Sequence, residues 1–125
     1  MSLTQSANCR SAANPSKART STSWSLEAWA RLAIDHAFTD LARDDGGRAW
    51  TRLWGPDGGC AELWVDDRYG FVETYTGDTL APDRARRGLG TEPMTCPPNG
   101  FAAGDHVIRL EPGESVTATW GACLT

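Results

Sequence analysis

From Asp44 onward, clusters of glycine, proline and aspartate cut the chain into runs too short for ordinary helices. "DDGG" (44–47), "GPDGG" (55–59) and "PGE" (112–114) are turn sequences, because Gly supplies positive φ, Pro presets φ and Asp bonds its own backbone. Between them lie "RAWTRLW" (48–54), "CAELWVD" (60–66), "GFVETYTG" (70–77), "HVIRLE" (106–111) and "SVTATWG" (115–121). Phe71, Glu73 and Tyr75 alternate with Val72, Thr74 and Thr76. Val116, Ala118 and Trp120 alternate with Ser115, Thr117 and Thr119. This period of two marks strands with one buried face. The pattern predicts a mainly β fold, an antiparallel β-sandwich or part of a barrel.

Upstream the signals differ. Residues 1–23 are rich in Ser, Thr, Ala and Asn without apolar periodicity, and read as disordered. Leu26, Trp29, Ala30, Ala33, Ala37 and Leu41 recur at helical spacing, and Ser25 is a candidate N-cap, so pattern alone predicts an amphipathic helix over 25–43. "GLGTEPMTCPPNGF" (88–101) reads as a rigid irregular loop, since its prolines bar it from a central strand or a helix interior.

The chain's 125 residues suit one small domain. Twelve basic and sixteen acidic residues give a net charge of −4, which argues against nucleic acid or an anionic membrane as partner. No apolar stretch is long enough to span a membrane or to form a signal-peptide core, so a cytoplasmic location is expected. Cys9, Cys60, Cys96 and Cys123 have no zinc-knuckle spacing, and no metal is expected. Cys60 and Cys123 sit in strand-like contexts and read as buried thiols.

Four motifs, in order, resemble the C-terminal part of the aldose 1-epimerase (galactose mutarotase-like) family. They are "IDHAFTDL" (34–41), "ETYTGDTL" (73–80), "GLGTEPMTCPPNGF" (88–101) and "IRLEPGESVTATWG" (108–121). The resemblance implies the C-terminal portion of that family's β-supersandwich over residues 34–125, after an atypical segment 1–33. It also opposes the helix reading from Ile34 onward. It implies an isomerase that interconverts the α and β anomers of free hexoses without a cofactor. A base takes the proton of the C1 hydroxyl, an acid protonates the ring oxygen, and the opened chain rotates and recloses. By the same resemblance Glu92 is the general base and Asp35 accepts sugar hydroxyl bonds, which a carboxylate can do twice over. Phe38 and Tyr75 pack beneath or against the sugar.

The family's acid is a histidine from a region this sequence does not match. The two histidines here, His36 and His106, do not stand at its position. Impaired activity of this chain alone is therefore expected. Three other features have readings of their own. Arg84, Arg86 and Arg87 in "DRARRG" read as a solvated loop or, by resemblance to hexose-6-phosphate epimerases, as a grip on a sugar phosphate. Trp50, Trp54 and Trp64 suit a sugar-stacking platform. An incomplete sandwich with exposed sheet surface suits a non-catalytic carbohydrate-binding or interaction module, or a homodimer.

Overall fold

The computed structural model describes residues 31–125. The expected disordered segment 1–23 and residues 25–30 of the expected helix lie outside the described residues.

Six strands form two three-stranded antiparallel sheets. The strands are β1 (Asp35–Phe38), β2 (Ala49–Trp54), β3 (Cys60–Val65), β4 (Phe71–Tyr75), β5 (Gly90–Met94) and β6 (Trp120–Leu124). A single helical turn, α1 (Gly100–Ala103), precedes β6. One sheet has the order β1-β4-β5 and the other β2-β3-β6. The architecture is mainly β and sandwich-like, as the alternation predicts.

The turn sequences act as read. In "GPDGG" the Gly55 amide donates to the Gly59 carbonyl at 2.7 Å, and Gly58 takes a φ of 86° that favours glycine. This closes the β2–β3 hairpin, with Trp54 opposite Cys60 and Ala49 opposite Val65. In "PGE" the Glu114 amide donates to the Glu111 carbonyl at 2.9 Å, with Gly113 at φ 90°. Proline then glycine at the two central positions is the type II pattern.

The core is small. Ala49 and Val65 from one sheet meet Val72 from the other, with Leu41, Leu63 and Tyr69 packed around them. Val65 is fully buried. Arg43 holds two of the three crossovers between sheets, β1–β2 and β3–β4. Its guanidinium donates to the Asp66 carbonyl at 2.8 Å, the Tyr69 carbonyl at 2.7 Å and the Gly47 carbonyl at 3.2 Å. Cys60 is a buried free thiol as expected, whereas Cys123 is half-buried and disulfide-bonded rather than a thiol. Among the described residues no helix is long and apolar enough to cross a membrane.

Three expectations need correction. Among the described residues no part of the helix expected over 25–43 is helical: residues 35–38 instead pair with β4, from Asp35 opposite Tyr75 to Phe38 opposite Val72. Backbone pairing with a long-range partner overrides helical spacing in an alanine-rich run. Thr76 anchors this pairing: its amide donates to the Ile34 carbonyl at 3.0 Å, and the Ile34 amide donates to Thr76 Oγ1 at 2.9 Å.

The segment 88–101 is not wholly irregular, since residues 90–94 form β5. Pro93 is tolerated there because β5 lies at a sheet edge, where a missing amide costs no ladder bond on the open side. Finally, residues 106–111 and 115–119 form no ladder. The last strand starts at Trp120 and pairs with β3. Ile108, Leu110 and Val116 are exposed, so the alternation there has no surface to bury against among the described residues.

A carboxylate basin on the β1-β4-β5 sheet

Because strand side chains alternate, one register fixes which residues share a face. Asp35 lies opposite Tyr75, Ala37 opposite Glu73, Glu73 opposite Glu92, and Tyr75 opposite Gly90. Asp35, Glu73, Tyr75, Glu92 and Met94 therefore occupy the face turned away from the core residue Val72. They line an open basin of about 620 Å³, with Ala37, His36 and Pro98 completing its wall. The missing side chain at Gly90 leaves the Tyr75 ring uncovered across the strand. The Tyr75 hydroxyl lies 2.5 Å from Thr79 Oγ1.

Three of the four residues singled out in the sequence meet here: Asp35, Tyr75 and Glu92. Phe38 does not. It stands three residues from Asp35 on an extended strand, which places it on the opposite face. There it lines the cleft between the sheets, with Val72, Thr74, Leu53 and Leu124. Phe38 is thus not brought into the basin itself.

The residue missed by sequence reading is Glu73. It is half-buried at the centre of the face, between Asp35 and Glu92, which are both exposed. Its Oε2 is buried and has no hydrogen-bond partner among the described residues. Burial, and then the neighbouring charges of Asp35 and Glu92, push its carboxyl above the ordinary glutamate range, against a smaller opposing effect of His36. The signal for Glu73 was present, since it alternates in step with Tyr75.

The rim is fixed by the Tyr-Thr-Gly-Asp sequence. The Thr76 hydroxyl donates to Asp78, and Arg86 donates to Asp78 Oδ1 at 2.5 Å and to the Leu32 carbonyl at 3.1 Å. The Thr76 hydroxyl and then Arg86 hold the Asp78 carboxyl below its usual range. Arg86 is thereby tied to the rim, while Arg84 and Arg87 are exposed. His106 stands beyond the basin, edge-on to Phe71 with ring centroids 5.3 Å apart, and its Nδ1 lies 2.6 Å from Asp105 Oδ1. Cys96 packs under Gly100, where an added Cβ would come within 3.1 Å of the sulfur.

Trp50, Trp54 and Trp64 share the face of the other sheet that is turned away from its core residues Ala49 and Val65. The Arg48 guanidinium lies 4.2 Å above the Trp64 ring and that of Arg52 4.7 Å above Trp50. Two of the three indole faces are thus already stacked. Among the described residues no group of three His, Cys, Asp or Glu side chains is placed to hold a metal ion.

A 44-residue segment, 35% of this chain, is 43% identical to the uncharacterized protein YihR of Escherichia coli (strain K12). The match spans 13% of that protein's length. No family model matches the chain, and no solved structure matches it.

Proposed function

We propose that the chain is an aldose 1-epimerase-like protein that binds a free hexose in the carboxylate basin and acts on its anomeric centre. One observation carries this reading. Asp35 and Glu92 were singled out from separate motifs, and both line one basin, on strands flanking β4, together with Tyr75. In this reading Asp35 accepts hydroxyl hydrogen bonds, Tyr75 offers a ring edge or face to the sugar, and exposed Glu92 removes the C1 hydroxyl proton. No metal or cofactor is assigned a part.

Titrating galactose or glucose into isotope-labelled chain tests the reading by NMR. It expects shifts at Asp35, Tyr75, Glu92 and their strand neighbours. Shifts absent at saturating sugar would sink it. A hexose 6-phosphate in a parallel arm is expected to bind no more tightly, because Arg86 is held by Asp78.

A second reading, a non-catalytic interaction module, draws on a different feature. The cleft between the sheets has an apolar mouth in which Phe38, Leu53 and Leu124 are exposed. Self-association through this surface makes the apparent mass in light scattering rise with concentration. A concentration-independent monomer would exclude it.

A further inference from the structure

We infer that Glu73 is the proton-donating catalytic residue of this basin, paired with Glu92 as base; the inference rests on the hexose-binding reading above. Geometry comes first. Glu73 and Glu92 are direct cross-strand neighbours on one face, which puts their Cβ atoms about 5 Å apart. Ring opening needs an acid and a base acting on two oxygens bonded to the same carbon, O1 and the ring oxygen at C1. Carboxyl groups projecting side by side suit that demand better than groups on opposite sides of a cleft.

Burial divides the roles. Glu73 has one oxygen buried without a partner among the described residues, while Glu92 is exposed. A buried carboxylate oxygen that lacks a partner is costly when ionised and much less so when protonated. The groups facing Glu73 are Asp35 and His36 from β1 and Glu92 from β5. Two of these three are carboxylates, and they too favour the proton on Glu73. His36 also lines the basin, and His106 lies beyond Phe71.

The step balances. Glu92 carboxylate takes the O1 proton as the C1–O5 bond breaks, and Glu73 gives its proton to O5. The products are an open-chain aldehyde, a protonated Glu92 and an ionised Glu73. After rotation about C1–C2, the O5 hydroxyl adds to the other face of the carbonyl. Its proton returns to Glu73, and Glu92 returns its proton to O1. Both carboxyl groups end as they began, with no co-reactant.

The test follows anomer exchange of α-glucose or α-galactose, by polarimetry and by NMR exchange spectroscopy, in the whole chain and in Glu73→Gln and Glu73→Asp, alongside the sugar titration. The expected result is acceleration over the spontaneous rate that declines as pH rises above the ordinary glutamate range. It falls about 100-fold in Glu73→Gln, with sugar binding retained, and is partly restored in Glu73→Asp. Sugar binding with no acceleration overturns the inference alone, as does acceleration that survives Glu73→Gln with an unchanged pH profile. Absence of sugar binding overturns the hexose reading, and the inference with it.

Discussion

The two sheets have the same strand count and the same antiparallel pairing, yet they treat charge on their outer faces in opposite ways. On the β2-β3-β6 sheet charges are matched. Arg52 Nε meets Glu62 Oε1 at 2.5 Å directly across the strands, Arg48 and Arg52 cover tryptophan rings, and Trp50 Nε1 donates to Asp44 at 2.8 Å. On the β1-β4-β5 sheet Glu73 and Glu92 face each other across the ladder, with Asp35 on the diagonal. None of the three joins an ion pair among the described residues. Opposite charges across strands stabilise a sheet and like charges destabilise it. A fold that keeps three carboxylates together on one face, while pairing its charges on the other, carries a cost that structure alone does not repay. Costs of this kind concentrate at functional sites.

The largest effect that would break this contrast is on activity. Glu92→Gln is expected to lower anomer exchange about 100-fold, whereas Arg52→Gln on the other sheet leaves it within about twofold. Equal losses in both variants, measured by polarimetry, would mean that the chemistry is not localised to the carboxylate face. Next in size is a packing change. A Cβ at Gly121 would stand 2.6 Å from Trp64 Nε1, so Gly121→Ala is expected to cost about 1–3 kcal/mol in denaturant unfolding. No loss would show that the tryptophan and arginine stack on that face is not fixed.

The sharpest comparison uses one chemical change on both sheets. Glu62→Gln removes the charge that Arg52 meets and is expected to destabilise by about 0.2–1 kcal/mol. Glu73→Gln removes a like-charge neighbour of Glu92 and is expected to stabilise by a similar amount at a pH where Glu73 is ionised. The same sign in both would end the contrast. The smallest effect is one of pH. The carboxyl of Glu73 is raised in the folded state, so the native chain binds its proton more tightly than the unfolded chain does. Its contribution is favourable below the ordinary glutamate range and is lost as pH rises through the folded-state value. Asp44 is the counterpart. Burial works against its ionised form, but hydrogen bonds from Trp50 and from the Arg48 and Gly46 amides, with the charge of Arg48, hold its carboxyl below the usual range. Its contribution is present above the ordinary aspartate range and is lost as pH falls through the folded-state value. Stability curves for Glu73→Gln and Asp44→Asn should deviate from wild type in those opposite windows.

These contrasts were only partly legible in the sequence. The β2–β3 hairpin and β4 followed from turn chemistry and alternation, which are local properties. β1 and β5 were not legible in the same way. Each is a sheet edge whose identity depends on β4, and their local signals, alanine at helical spacing and repeated proline, point elsewhere. That explains both errors at the site. Asp35 and Phe38 share a face if residues 35–38 are helical and lie on opposite faces if they are extended. Glu73 falls in the basin only once β4 is known to be flanked by Asp35 and Glu92. The motif resemblance supplied Asp35, Tyr75 and Glu92, but motifs carry no record of which neighbour takes the dry central position.

Site-resolved NMR of the side-chain carboxyl carbons, with hexose added, tests the account most directly. It predicts that Asp35, Glu73 and Glu92 shift together on saturation while Glu62 and the Trp50 and Trp64 indoles stay fixed. Carboxyl signals that ignore the sugar, or shifts centred on the tryptophan face, would contradict it.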